Sequence, residues 1–378
     1  MEESKPTASW SIKQPWRGLF GLAVTVGYAF TVTSIFDMAA FHGFFTLIAM
    51  SFVPILVMTG MGWQGASYPP TTGLVQPWRG MLLTAFVVLI GTIASYVLLN
   101  FLGGGVVHPF IVMYSIVVVV ATFFVIVAFG MWPFQKLSLG PRGWLSLLLA
   151  YVVAWFVLKL FNFNLLSFPT GVNPSPIDAV PFYAKGGPLA ALAAMAPQGP
   201  FRWESAITFL IWMMVFLFSF TALGMWPFHK SQALMKQPVL GIVLVISCVV
   251  LSAIANGIGV VSMHIEPIRF LFYGICYIYG LLLLMTMFQM WPGRALSPLA
   301  GAFVNMLIAI GIGIIAYYVY NAFAVWHFGA KAMTYPNNMF TPINIMLGLT
   351  FPAWAAYADL WHFWPLSPMP APPQENEG

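Results

Sequence analysis

The sequence predicts an all-α polytopic membrane protein, with ten transmembrane helices arranged as five parallel two-helix hairpins in a quasi-fivefold ring. Three observations predict it. The 378 residues are 61% hydrophobic and only 6% charged, whereas a water-facing surface needs charge at roughly a quarter to a third of its positions. Apolar runs long enough to cross the hydrocarbon core, roughly 20 residues each, recur along the chain. The runs also open and close on the same short motifs, and self-similarity of this kind marks a repeat architecture.

Taken in order, residues 1–16 form a polar cytoplasmic segment ending in Ser11-Ile12-Lys13-Gln14-Pro15-Trp16, with no apolar stretch of leader length. The membrane domain spans 17–365. Its apolar runs are 17–35 and 40–60, 80–101 and 109–131, 143–163 and 204–225, 239–260 and 267–290, and 299–322 and 340–361. They pair into hairpin repeats 15–64, 77–133, 141–227, 238–292 and 298–365. The third repeat carries an extramembrane insertion, 164–202, rich in proline (Pro169, Pro174, Pro176, Pro181, Pro188, Pro197, Pro200) and readable as a spacer, a lid or a contact site. Residues 366–378 form a cytoplasmic tail, and the proline-rich stretch from Pro365 to Pro373 suits docking.

Each odd span is preceded by a proline, at Pro15, Pro77, Pro141, Pro238 and Pro298, with glycine two or three residues later at Gly18, Gly80, Gly143, Gly241 and Gly301. Proline suits the first turn of a helix, where its missing N–H would have no partner. Each even span closes on a tryptophan, at Trp63, Trp132, Trp226, Trp291 and Trp364, the last four followed by proline. An indole sits well at headgroup level, and five such corners on one face would also serve as a docking strip. Every unit holds two helices, so the copies are parallel rather than inverted repeats, and an inverted-repeat transporter is disfavoured.

Lys and Arg set the orientation. Lys5, Lys13, Arg17, Arg79, Lys136, Arg142, Lys230, Lys236 and Arg294 fall at the N-terminus and the even-to-odd connections, against Lys159, Lys185, Arg202, Arg269 and Lys331 on the other face. Both termini are therefore placed in the cytoplasm, with the chain in a bacterial inner membrane. The basic excess is topogenic and leaves no stripe for nucleic acid. The two cysteines, Cys248 and Cys276, lie in apolar runs and offer neither a disulfide framework nor paired metal spacing.

The odd spans are richer in small and polar residues, which predicts an inner ring of odd helices inside an outer ring of even ones. The candidate pathway residues are Thr25 and Tyr28, Thr92 and Ser95, Ser252 and Asn256, and Asn305, Gly313 and Tyr317. Small residues also serve close helix packing, so both readings stand. No carboxylate lies in mid-span, which disfavours a proton relay. His42, His108, His264 and His327 fall at the outer ends of four hairpins. Beside Met38, Met263, Met333 and Met339 they are weak candidates for a soft metal or a pH-sensitive vestibule, and equally ordinary interfacial residues. No phosphate-binding glycine motif and no catalytic constellation is present, so no enzyme activity and no cofactor is expected.

In helix count and hairpin order the chain resembles the slow-type anion channel and tellurite-resistance group, and the resemblance implies the fold alone. Three functions follow from the residues. The first is a channel or passive transporter for a small solute. The second is a non-catalytic membrane-embedded subunit or scaffold, with partners in the bilayer, further copies of itself or other membrane subunits. The third is a metal-handling protein using the outer His/Met set.

Overall fold

Helices begin where the sequence supplies a proline or a polar turn. The computed structural model describes residues 12–44, 47, 49–63, 71, 73–168 and 175–366; the first eleven residues, the tail from 367 and the 169–174 part of the insertion lie outside them. Helix α1 (Trp16–Thr33) follows Pro15. It turns by 118° into α2 (Met38–Phe44), because Asp37 Oδ1 accepts the Ala40 amide at 2.8 Å and starts a new helix rather than extending the old one. α3 (Met50–Val57) carries Pro54 and runs into a π-helical turn ending at Gly62.

The remaining elements follow in order. α4 (Trp78–Val97) begins after Pro77 and widens at Leu98–Leu102, and α5 (Pro109–Phe123) widens at Phe124–Ala128. α6 (Leu139–Leu158), the short α7 (Val180–Tyr183) and α8 (Trp203–Ala222) lead to α9 (Val239–Asn256), which widens at Gly257–Ser262. α10 (Pro267–Thr286) and α11 (Pro298–Phe328) each carry proline in the first turn. The last span, Asn337–Leu360, combines α12 (Asn337–Ile343) and α13 (Phe351–Ala355) with a π-helical turn after each. Pro352 lacks the N–H that a regular helix would need there, which accounts for the wide turn before it.

The protein is thus an all-helical polytopic membrane protein. Eight helices among the described residues are long and apolar enough to cross a bilayer, or nine counting α1 with α2 as one bent span. The sequence predicts ten. The eight belong to the second to fifth hairpins; in the first, α1 and α2 meet at the Asp37 turn, and residues 45, 46 and 48 of run 40–60 lie outside the described residues.

Contacts between elements set the layers. α3 packs on α5, α5 on α8, α8 on α10, α10 on α13, and α13 on α3. Outside this circuit α4 lies against α3, α6 against α5, α9 against α8, α11 against α10, and α1 against α13. The expected layering is therefore reversed: even spans lie inside and odd spans outside. Burial agrees, at 72, 56, 78 and 67% of the even spans starting at Pro109, Trp203, Pro267 and Asn337, against 28, 33, 28 and 33% of the odd spans starting at Trp78, Leu139, Val239 and Pro298. The cause is the solvent. In a bilayer the small and polar residues of the odd helices need not mark the inside, since lipid is no more apolar than a leucine-rich core.

The described part of the insertion is an ordered cap. Strand β1 (Phe161–Asn162) pairs in parallel with β2 (Phe201–Arg202), joining the two ends of the loop. Phe163 stacks on Trp203 with ring centroids 6.4 Å apart. α7 reaches α5, where the Tyr183 hydroxyl lies 3.0 Å from His108 Nδ1.

Candidate functional site

On the inside of the circuit is a cavity of about 60 Å³ to which every even span contributes, among them Val53, Val120, Met214, Ile278 and Phe351. All of its lining side chains are apolar. It has room for a water molecule but, among the described residues, none of the two to four polar partners that a buried water needs, which favours a dry centre. A larger, open cleft of about 680 Å³ lies between the first and last hairpins beside Asp37, His327 and Lys331.

None of the nine predicted pathway residues lines the central cavity. Five of them, Thr25, Ser95, Ser252, Asn305 and Gly313, are buried. Thr25 Oγ1 donates to Gly21 O at 2.9 Å and Ser95 Oγ to Gly91 O at 2.9 Å. Ser252 is fully buried. Asn305 Nδ2 donates to Met290 O at 2.7 Å. A Cβ on Gly313 would stand 2.3 Å from the Cys276 carbonyl oxygen. Asn256, half-buried, donates to Ser252 O at 2.8 Å, and Tyr317 packs edge-on against Phe272. Tyr28 and Thr92 face outward, and Tyr28 is 54% exposed.

The histidines are dispersed as well. His42 is held between Thr341 Oγ1 at 3.1 Å and Asn344 Nδ2 at 3.0 Å. His327 Nε2 lies 2.9 Å from the Phe36 carbonyl oxygen, and His264 is exposed. Burial beneath the insertion pushes the His108 imidazole down to about 4, against the opposing pull of the Gly103 carbonyl. Among the described residues no group of three His, Cys, Asp or Glu is placed to hold a metal ion.

The repeated corners have a shared geometry that goes beyond the motifs read from the sequence. The glutamine before three of the opening prolines is a tie between hairpins. Gln14 Nε2 donates to Met287 O at 2.9 Å and Gln76 Nε2 to Leu360 O at 2.8 Å, while each side-chain oxygen accepts the amide of the following glycine, Gly18 or Gly80. Gln237 Nε2 donates to Ala128 O at 2.8 Å. The glycines are needed because an aromatic ring of another hairpin rests on them: an added Cβ would meet Phe288 at Gly18, Trp361 at Gly80, Trp63 at Gly143 and Phe129 at Gly241.

Trp63 therefore does not share the environment of the other closing tryptophans. It is fully buried and donates from Nε1 to Leu139 O at 3.0 Å, in the place that Phe129, Phe288 and Trp361 occupy three residues ahead of Trp132, Trp291 and Trp364. Those three and Trp226 are part-exposed, and each donates its backbone amide to the carbonyl three residues earlier. The recurring Gln-Pro pair was the available signal for the ties. Nothing in the sequence pointed to the buried chain in which the Tyr279 and Tyr320 hydroxyls lie 2.7 Å apart and Tyr320 donates to Thr350 at 3.0 Å.

No family model, no curated protein and no solved structure matches this chain.

Proposed function

We propose that the protein is a non-catalytic, membrane-embedded subunit of a larger assembly, a quasi-fivefold ring of five hairpins seated in a bacterial inner membrane with both termini cytoplasmic. One observation carries this reading. The polarity is not that of a conduit: the described lining of the inside of the even circuit is apolar, while a subset of the hydroxyl, amide and glycine positions of the odd helices faces out. Thr31, Thr92 and Asn100 are exposed, and Cβ atoms built on Gly27 and Gly311 meet nothing within 4 Å. Outward polar and small groups suit the close approach of further transmembrane helices better than they suit lipid. The ties at the corners favour a rigid scaffold, since side-chain to backbone hydrogen bonds lock the first hairpin to the fourth, the second to the fifth and the fourth to the second.

A solute channel fits less well, because a hydrated solute crossing the apolar centre would shed its water with no polar group to replace it. The metal-handling reading lacks a converging ligand set among the described histidines. The test is purification of the full chain from native membranes in mild detergent, followed by native mass spectrometry. Stoichiometric foreign membrane subunits are expected. A lone monomer or homo-oligomer that conducts solute in liposomes would overturn the proposal.

A further inference from the structure

Two carboxylates meet where the insertion folds back on the first turn of α8. Asp178 accepts the Ser167 amide through Oδ1 and the Ser175 amide through Oδ2, the latter at 2.8 Å. Glu204 Oε1 accepts the amide of the next residue, Phe168, also at 2.8 Å. Consecutive backbone amides thus bring the two acids side by side. Glu204 is fully buried and Asp178 nearly so.

Three more oxygens at this place are buried with no hydrogen-bond partner: Glu204 Oε2, Ser167 Oγ and Ser175 Oγ. Both serines are more than nine-tenths buried. Orphaned buried acceptors are uncommon and mark a bound water or ion when they cluster. The charged groups around the pair do not complete it. Arg202 acts on Glu204 through space from an exposed strand. Arg269 lies toward Tyr335, whose hydroxyl donates to Glu266. The donor set that remains is all oxygen, two carboxylates with two neutral hydroxyls, which is the chemistry of a hard cation rather than of zinc or copper.

We propose that Asp178, Glu204, Ser167 and Ser175 form a site for a hard divalent cation of the calcium class, which pins the insertion to the end of α8. The site does not depend on the subunit reading. Its purpose is structural: a divalent charge between the acids relieves their repulsion and gives the three orphaned oxygens a common partner.

The probe is Tb³⁺, titrated into the metal-stripped full chain in detergent and excited through tryptophan, since Trp203 adjoins Glu204. Saturable emission is expected, displaced by Ca²⁺ in preference to Mg²⁺, with Ca²⁺ raising the Tm. Glu204→Gln and Ser175→Ala should each weaken Tb³⁺ binding about tenfold or more, in line with losses at metal-orienting positions. Asp178→Asn is not the deciding variant, because Asp178 also holds two backbone amides; Ser175→Ala removes only a hydroxyl. Trp203→Phe should lower the emission and leave the Ca²⁺ effect on Tm. Absence of saturable emission, or emission that folded Glu204→Gln and Ser175→Ala proteins retain at full affinity, would overturn the site and leave the orphaned oxygens to buried water.

Discussion

Helices α10 and α11 lie against each other, yet 78% of the span starting at Pro267 is buried and only 33% of the one starting at Pro298, although the second is the more apolar. In water that order would be reversed. In a bilayer hydrophobicity does not sort inside from outside, and packing shape does. The two helices touch through backbone: a Cβ on Gly280 would stand 2.0 Å from the Ala309 carbonyl oxygen, and one on Gly313 at 2.3 Å from that of Cys276. The buried face of α11 is the one that lets α10 approach closely, and its larger apolar side chains, such as Leu307 and Ile315, are turned out.

The largest test of this contrast is Gly313→Leu against Gly311→Leu. The first forces a branched side chain into a backbone contact and should cost about 3 kcal/mol or more, at or above the usual range for overpacking. The second enters open space and should change the Tm of the isolated chain by little, within about 0.5 kcal/mol. Equal losses would break the inner and outer distinction. A Gly311→Leu protein that is stable alone but no longer co-purifies with partners would sharpen it.

The next effect is hydroxyl removal. Tyr320→Phe strips the group between Tyr279 and Thr350 and should destabilise by about 1–3 kcal/mol, because two buried hydroxyls lose a partner. Tyr318→Phe, two residues earlier on the exposed face, should be neutral in the same melting experiment. Smaller again is Gln76→Leu, which unties α4 from the end of the last span. The loss expected is about 1 kcal/mol, visible as faster hydrogen exchange near Leu360.

The smallest effect is local and depends on pH. His108 caps α5 and titrates near 4 while the insertion covers it, against 6.5 for the free group. With the insertion released, His108 therefore takes up a proton at higher pH than when it is covered. Docking should be at full strength above about pH 6.5 and weaken progressively toward pH 4. Hydrogen exchange at Val180–Tyr183 measures it, and His108→Gln should flatten the profile.

Much of this was legible in the residues. Runs 80–101, 204–225 and 239–260 return as spans Trp78–Leu102, Trp203–Ala222 and Val239–Ser262, because proline and charge limit a helix locally. In the first hairpin the gap between runs 17–35 and 40–60 was legible, but not the sharpness of the 118° bend there, since the capping by Asp37 concerns one side chain and one amide. The setting of the pathway residues was not legible for a different reason: Thr25, Ser95 and Ser252 are buried small or polar positions of outer helices, and such positions look the same in sequence whether they line water or let helices touch. Trp63 misled because a tryptophan after glycine matches the other closing motifs, although the rings resting on the glycines show it to be three residues out of register with them.

The sequence by itself determined that the chain is built of apolar helices long enough to cross a bilayer and where most of them start and stop. These follow from transfer free energies and backbone chemistry, which act within a turn or two of each residue. Only the tertiary structure decided which helices face inward, that the described lining of the centre is apolar, and that Asp178 and Glu204 meet through adjacent amides. Those outcomes depend on which surfaces fit together across long sequence separations, and in an apolar solvent no gradient of hydrophobicity along the chain announces them.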